Sequence, residues 1–236
     1  MVAHLSLAAD AYTDRLARGL ASDTSPSEGL PPAGSVNAGS WSEFGAARVI
    51  SFREGVRGDL LSQFRKANER FHGLLSKLEA AEWETFCYHP GKLVPANTLA
   101  RFMILELSVL GCDIRSKLAP PAHLFTELLP EIVILFSEYL EWFFEPGHRL
   151  DPPHRYRFDI DGIQPRLRDI VVEGDRAQME VAASGPADAS FDCSVETFIL
   201  LMCGRTSVAS AVSAGEMTVK SGAVDGYEFS DWFRGA

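Results

Sequence analysis

The chain has 236 residues, 46% of them hydrophobic, which is enough to build packed cores for one large domain or two small ones. Acidic side chains outnumber basic ones by 32 to 22, and the net charge of −10 argues against general binding of the nucleic-acid phosphate backbone. No basic region followed by an apolar run opens the chain, so we expect a cytoplasmic protein with reduced thiols. The cysteines show no paired metal-binding spacing, and they are Cys87, Cys112, Cys193 and Cys203.

Residues 2–20 have the periodicity of an amphipathic helix, with His4 as a polar residue near its start. Its apolar stripe consists of Leu5, Ala8, Ala9, Tyr12, Leu16 and Leu20. Residues 21–41 are dominated by Ser, Gly, Pro and Asp and show no period. They predict a loop that is either mobile or a functional flap.

Residues 42–80 predict two further helical pieces, the second of which begins after Asp59 as its N-cap. Residues 81–96 form a connection that is rich in aromatic side chains. These aromatic residues either roof a pocket or plug the end of a helical bundle, and they are Trp83, Phe86 and Tyr88.

Residues 101–118 predict a buried helix that is apolar on most faces and carries one acidic residue, Glu106, in its middle. Glu106, Leu110 and Asp113 fall at positions i, i+4 and i+7, so they share one face of this helix. A carboxylate in apolar surroundings is costly unless it is paired, metal-bound or protonated. Glu106 is therefore the first candidate for a functional residue.

Residues 123–144 predict the last helix of the bundle, bent or restarted at Pro130. Acidic residues and this proline interrupt its apolar run, so it is no membrane span. Residues 145–154 hold three prolines and a glycine, and this shift in composition marks the best domain boundary in the chain.

Beyond that boundary the hydrophobic period changes to two, with Tyr156, Phe158 and Ile160 on one face of a predicted strand. Residues 167–173 and 177–182 predict a hairpin. A helix from residue 195, a strand at 216–219 and a closing helix follow. This order of elements predicts a small α+β layer.

The string from Glu106 to Ile114, ELSVLGCDI, resembles the Glu-x-x-x-His-x-x-Asp-Leu/Ile signature of the mycothiol-dependent maleylpyruvate isomerase family. The opening Val2-Ala3-His4-Leu5 resembles the Val-Ala-His-Leu motif on an earlier helix of that family's DinB-like bundle. The family's Glu and two histidines bind a divalent metal, usually zinc, so the resemblance implies His4 and Glu106 as metal ligands. Leu110 departs from the pattern, because it stands where the family has its second histidine.

The runs from Phe198 to Arg205 and from Gly215 to Gly222 resemble the sterol-carrier-like C-terminal domain of the same family. The resemblance therefore implies an α+β protein with two domains. A DinB-like four-helix-type bundle, without the family's N-terminal helix, would span residues 1–146. A small sterol-carrier-like α+β domain would span residues 147–236.

The resemblance implies an actinobacterial type of isomerase or thiol transferase that uses mycothiol on a small electrophilic substrate, with Glu106 as a candidate catalytic residue. Arg205 is a second candidate because it follows an apolar helix and a glycine, not because a family motif matches it. A zinc ion would lower the pKa of the bound thiol, and Arg205 would hold a substrate carboxylate unless it is a surface arginine bonded to local carbonyls. The alternative is a non-catalytic ligand-binding or regulatory relative that has lost the metal, which Leu110 favours. Without a metal, Glu106 would pair with His4 or bond to Tyr12 or Arg101.

A helix that is apolar nearly all round must be covered on every side. The family covers this region with an N-terminal helix that the chain lacks, so we expect an apolar groove beside His4 unless residues 123–144 and 43–54 fill the gap. Either a homodimer covers the groove, or the true start lies upstream of Met1. The expected partners are thus a small molecule and a second copy of the chain, with no nucleic acid and no membrane.

Overall fold

The structure is a computed structural model that describes residues 1–56, 58–145 and 150–233, apart from the side chains of residues 150, 151 and 223–225. The chain forms two compact units, Met1–Ala122 and His123–Ala236. The predicted domain boundary at residues 146–147 lies outside the described residues. Across the described part of the chain, no helix is long and apolar enough to cross a membrane.

The first unit is helical, and its central element is the first helix. Its helices are α1 (Val2–Leu20), α2 (Ala38–Val56), α3 (Leu60–Leu75) and α4 (Ala96–Leu118). A short 3₁₀ turn and a two-stranded ribbon, β1 (Phe86–Cys87) with β2 (Val94–Pro95), connect α3 to α4. Helix α1 packs against each of the other helices and against β1, so residues on α1 are well placed to line a site.

The apolar stripe predicted for α1 is confirmed, because Leu5, Ala9, Tyr12 and Leu16 are buried. Near its end, α1 lies directly on β1. A Cβ atom added at Gly19 would lie 2.6 Å from the sulfur of Cys87 and 2.8 Å from the carbonyl oxygen of the preceding residue. Helix α1 can therefore pack this closely on β1 only because residue 19 has no side chain.

Hydrogen bonds connect the loop between α1 and α2 to α1 and to the segment between β1 and β2. Arg18 donates from Nε and Nη2 to Asp23 at 2.8 and 2.6 Å, and from Nη1 to the hydroxyl of Ser27 at 2.7 Å. Further along the loop, the Tyr88 hydroxyl donates to the carbonyl of Pro31 at 2.6 Å. These bonds hold the middle of the loop beside α1.

Helix α4 begins five residues earlier than predicted, and its faces differ in burial. Leu99, Phe102 and Met103 are buried, whereas Ile104 and Leu107 are half-buried. The apolar side chains of α4 are therefore more fully covered on the first face than on the second. The homodimer expected across an apolar groove stays a prediction.

The second unit is an α+β layer whose five-stranded sheet has the order β5-β4-β3-β6-β7. Strands β3 and β6 pair in parallel, and the other neighbours pair antiparallel. The predicted α+β class is confirmed. The elements in chain order are α5 (Leu129–Phe143), β3 (Leu150–Asp161), β4 (Leu167–Gly174), β5 (Arg176–Val181), β6 (Ala189–Ser194), α6 (Val195–Met202), α7 (Val208–Ser213), β7 (Met217–Ser221) and α8 (Ala223–Glu228).

The core of the second unit lies between the sheet and helices α5 and α6. Tyr156, Phe158 and Ile160 are buried on one face of β3, as their alternation predicted. Phe136 of α5 lies edge-on to Phe198 of α6, with ring centroids 6.2 Å apart. Helix α5 therefore belongs to this unit, where it packs on β5 and α6, and not to the bundle in which the sequence analysis placed it.

The opposite face of the sheet carries a buried ion cluster around Asp169, whose side chain is fully buried. Asp169 accepts hydrogen bonds from Arg155 Nη1 at 2.7 Å, from Arg157 Nε at 2.8 Å and from the backbone N–H of Ala183 at 3.2 Å. A buried carboxylate needs this many donors to offset its lost hydration, so the cluster serves the fold.

Candidate functional site

A cavity of about 280 Å³ lies within the helical unit, between α1, α2, the loop that joins them and the middle of α4. Its lining has polar, cationic and apolar parts. His4 and Glu106 form a polar end, and Arg15 and Arg48 are also exposed to the cavity. The apolar and aromatic part of the lining consists of Leu7, Ala8, Ala11, Tyr12, Leu30, Trp41 and Val49.

His4 and Glu106 meet at the wall of this cavity, which confirms the prediction that they lie together. His4 Nε2 and Glu106 Oε2 are 2.9 Å apart, although the two residues are separated by 102 positions in the chain. Their side chains are 44% and 27% exposed, so this polar end is open to solvent and Glu106 is less buried than its apolar neighbours implied. Of the alternatives weighed for a metal-free Glu106, direct pairing with His4 is the one observed.

The donor set at this position does not fit a catalytic zinc ion. Such sites use about three protein ligands. Here His4 and Glu106 are two candidates, and Leu110, one turn after Glu106 on α4, cannot coordinate a metal. Among the residues that the structure describes, no group of three or more His, Cys, Asp or Glu side chains could hold a metal ion. We therefore derive no reaction step through a metal.

Tyr12 forms part of the cavity floor between the His4–Glu106 pair and Arg15. Burial raises the pKa of Tyr12 well above its ordinary value, and the negative charge of Glu106 raises it further. Its phenol therefore stays neutral at physiological pH and can act as a hydrogen-bond donor towards the cavity.

Arg15 lies at the other end of the cavity and is only 5% exposed. Its guanidinium carbon lies 5.4, 5.6 and 5.4 Å from the ring centroids of Tyr12, Trp41 and Tyr88. Burial lowers the pKa of Arg15, and the charge of Arg48 also lowers it. Within the described residues, Arg15 Nε has no hydrogen-bond partner. The aromatic rings thus surround a cation that keeps an unused donor.

Comparison with solved structures finds sterol-carrier-like neighbours. One is a sterol carrier protein 2-like 2 from Aedes aegypti, with a TM-score of 0.30 and 12% identity, covering 45% of this chain and 98% of that one. Another is described as a UbiJ-SCP2 ubiquinone synthesis protein, with a TM-score of 0.27 and 14% identity over 33% of this chain. The match spans 65% of that second protein, which is less than two thirds of its length.

These neighbours are of the kind expected for the sterol-carrier-like part of the chain, but TM-scores this low carry no argument about ligand or activity. No protein-family model matches the sequence, and no curated protein matches it. The resemblance to the maleylpyruvate isomerase family therefore depends on the short motifs around His4 and Glu106 and on the two C-terminal runs.

Arg205, the other candidate catalytic residue, lies in the second unit just after α6. It is exposed, and its Nη1 donates to the carbonyl oxygen of Cys203 at 3.0 Å. This local bond is the ordinary alternative that the sequence analysis had named for it. A role for Arg205 towards a substrate carboxylate stays a prediction.

The cysteines, predicted to be reduced core thiols, are all free and buried. Burial raises the pKa of Cys87 to about 11 and that of Cys193 to about 12. Because the thiolate is the reactive form, these two side chains have no nucleophilic character near neutral pH.

The sequence analysis missed Arg15, although the signal for it was present. Ala8, Tyr12 and Arg15 stand at i, i+4 and i+7, so a charged residue shares the buried face of α1. This is the same pattern that singled out Glu106 on α4. The partners of Arg15 could not be found in this way, because Trp41 and Tyr88 come from distant segments that local periodicity does not connect to α1.

Proposed function

We propose that the helical unit is a binding module for a small molecule, and that its site is the cavity beside the His4–Glu106 pair. The observation that carries the proposal is the meeting of these two side chains at 2.9 Å on the wall of a largely apolar, aromatic cavity. Pockets that combine an apolar lining with a few converging polar groups are the usual form of small-molecule sites.

The pair supplies a defined polar contact. An ionised carboxylate can only accept hydrogen bonds, so His4 Nε2 is the donor to Glu106. This bond orients the imidazole ring at the cavity wall. A histidine that is held by a carboxylate can both bind a polar ligand group and exchange a proton with it.

A second candidate is an enzyme of the mycothiol-linked isomerase or thiol transferase type. It is favoured by the contact between the two residues that match the family's metal-ligand positions. In this form of the proposal, the His4–Glu106 pair would accept the proton of a bound thiol. Leu110 favours the binding module over this alternative, because it supplies no metal-coordinating side chain at the position where the family has its second histidine.

The proposed function is tested by filling the cavity. Ala11 lines it, whereas Ala17 lies on the same helix and is exposed. We expect small aromatic compounds that bind the wild-type chain to lose binding in Ala11→Leu and to keep it in Ala17→Leu, as measured by calorimetry and by NMR shifts of the α1 amides. Binding that survives in a folded Ala11→Leu protein would place the site elsewhere.

The enzyme alternative is tested with mycothiol and a small cis-configured electrophile. Turnover that is lost in Glu106→Gln, with ligand binding retained, would favour the enzyme. Binding without turnover in the wild-type chain would favour the module.

A further inference from the structure

The buried guanidinium of Arg15 lacks the polar partners that a buried cation needs. It is only 5% exposed, and its Nε has no hydrogen-bond partner among the described residues. The rings around it compensate for part of the lost hydration through cation–π contacts. Among the described residues these ring contacts leave Arg15 Nε without a hydrogen-bond acceptor, while the Arg15 side chain lines the cavity.

Arg18, one turn along the same helix, shows how this chain satisfies an arginine for structural purposes. Its Nε and Nη2 donate to one carboxylate, and its Nη1 donates to a serine hydroxyl. Arg15 has no such arrangement, although it is far more buried. This contrast between neighbouring arginines is unusual for a residue that only supports the fold.

Within the described residues, the acidic side chains of the cavity form no hydrogen bond or ion pair with Arg15, and Asp14 acts on it only through its charge, which raises the pKa of Arg15. Glu106 is bonded to the histidine at the polar end. Asp10 pairs with an arginine of α3, and Asp14 accepts a hydrogen bond from a serine of the loop at 2.9 Å. The cavity is therefore left with a cation that has no bonded counter-ion inside it.

A second arginine faces the same cavity. Arg48 projects from α2, and its charge opposes that of Arg15. Two guanidinium groups that share a cavity repel each other, and an anion between them would turn this repulsion into attraction. Trp41, also on α2, lies next to this cationic end and offers an aromatic surface.

We infer that the ligand of this cavity is a small organic carboxylate with an apolar body, whose anionic oxygens accept hydrogen bonds from Arg15. The inference rests on the proposed function and specifies its ligand class. The carboxylate occupies the end of the cavity at Arg15 and Arg48, and the apolar body lies on Trp41 and the small side chains of α1. A cavity of about 280 Å³ restricts the ligand to small molecules.

The experiment compares acids with their uncharged amides of the same shape: benzoate with benzamide, and hexanoate with hexanamide. Affinities are measured by calorimetry on the full chain, with NMR shifts to locate binding at the cavity. We expect each acid to bind at least about tenfold more tightly than its amide, because the acid adds the attraction between opposite charges to the hydrogen bonds that the amide oxygen can also accept from Arg15.

The variants separate a ligand-binding arginine from a structural one. Arg15→Met should abolish the preference for the acid, and Arg65→Met, at an exposed position of α3 outside the cavity, should retain it. Arg15→Met should also leave the thermal midpoint unchanged or raised, since an unpaired buried charge is removed. If Arg15→Met does not fold, Arg48→Met at the exposed α2 position provides the comparison, with an expected severalfold loss for the acid alone.

The outcomes are distinguishable. Equal binding of acid and amide at the cavity would overturn the carboxylate inference and leave the proposed binding function standing. Displacement of benzoate by inorganic phosphate at equal concentration would also overturn it, because the apolar body would then contribute nothing. Failure of every acid and amide to bind the folded wild-type chain would defeat the proposed function together with the inference.

Discussion

His89 makes the stability of the helical unit dependent on pH, and the size of the effect follows from its surroundings. The ring is 2% exposed and is stacked on Phe102, with centroids 4.2 Å apart and planes at 16°. The backbone N–H of Gly91 donates to His89 Nδ1 at 3.2 Å, so this nitrogen must be unprotonated. Burial lowers the pKa of His89 well below its ordinary value, and the charges of Arg15 and Lys92 lower it further.

Acidification should therefore destabilise the folded chain. The unfolded chain takes up a proton on His89 with the ordinary pKa of 6.5, while the folded chain does not. The stabilisation is fully present above pH 6.5 and is lost as the pH falls below that value. One proton corresponds to about 1.4 kcal/mol of unfolding free energy for each pH unit while the folded ring stays neutral.

The assay is urea unfolding of the full chain between pH 7.5 and 5.0, compared with His89→Gln. The variant should be less stable at pH 7.5, because the stacking is lost, but the slope of its stability against pH should be smaller by about 1.4 kcal/mol per unit below pH 6.5. His72→Gln, at an exposed position of α3, is the matched control and should keep the wild-type slope. An NMR titration that shows the His89 ring protonating near pH 6.5 in the folded protein would refute the reasoning.

Three further substitutions test the packing and the polar end of the cavity. Asp169→Ala should lower the unfolding free energy of the second unit by about 3 kcal/mol, measured by urea unfolding, because two arginines lose a fully buried partner. Gly19→Ala should cost about 1–3 kcal/mol, since the new Cβ would lie 2.6 Å from a buried sulfur, whereas Gly73→Ala meets nothing within 4 Å and should not destabilise. Leu110→His should raise the affinity for zinc, measured by competition with a chelator, whereas Leu107→His, on a different face of the helix, should not. Equal zinc affinities of the two variants would contradict the prediction that Glu106 and position 110 share one face.

The contact between His4 and Glu106 could be predicted from the sequence, because each is a polar residue near an otherwise apolar helix face. The strand at residues 156–160 was readable for a similar reason, since alternation with period two is a local property. Arg15 on α1 carried the same signal, because it is a charged residue on the buried face of an amphipathic helix.

The misplaced elements depended on information that periodicity does not contain. The apolar face of α5 was visible, but the pattern could not tell whether that face covered the bundle or the sheet. Pro130 was predicted to bend or restart a helix, and the restart is observed, because α5 begins at Leu129 and has the proline in its first turn. A proline is well tolerated there, because the N–H it lacks would have no partner within the helix.

Helix α2 is the least buried of the three helices that line the cavity, and this affects how ligand preference can change. Of the residues from Ala38 to Val56, all of them described, Ala38 alone is buried. Trp41, Gly45 and Val49 nevertheless face the cavity from one side of this helix. Substitutions there alter the shape of the site without disturbing the α1 core, and a Cβ at Gly45 meets nothing within 4 Å. The selectivity of the cavity can therefore be redesigned, or can drift in evolution, at little expense in stability.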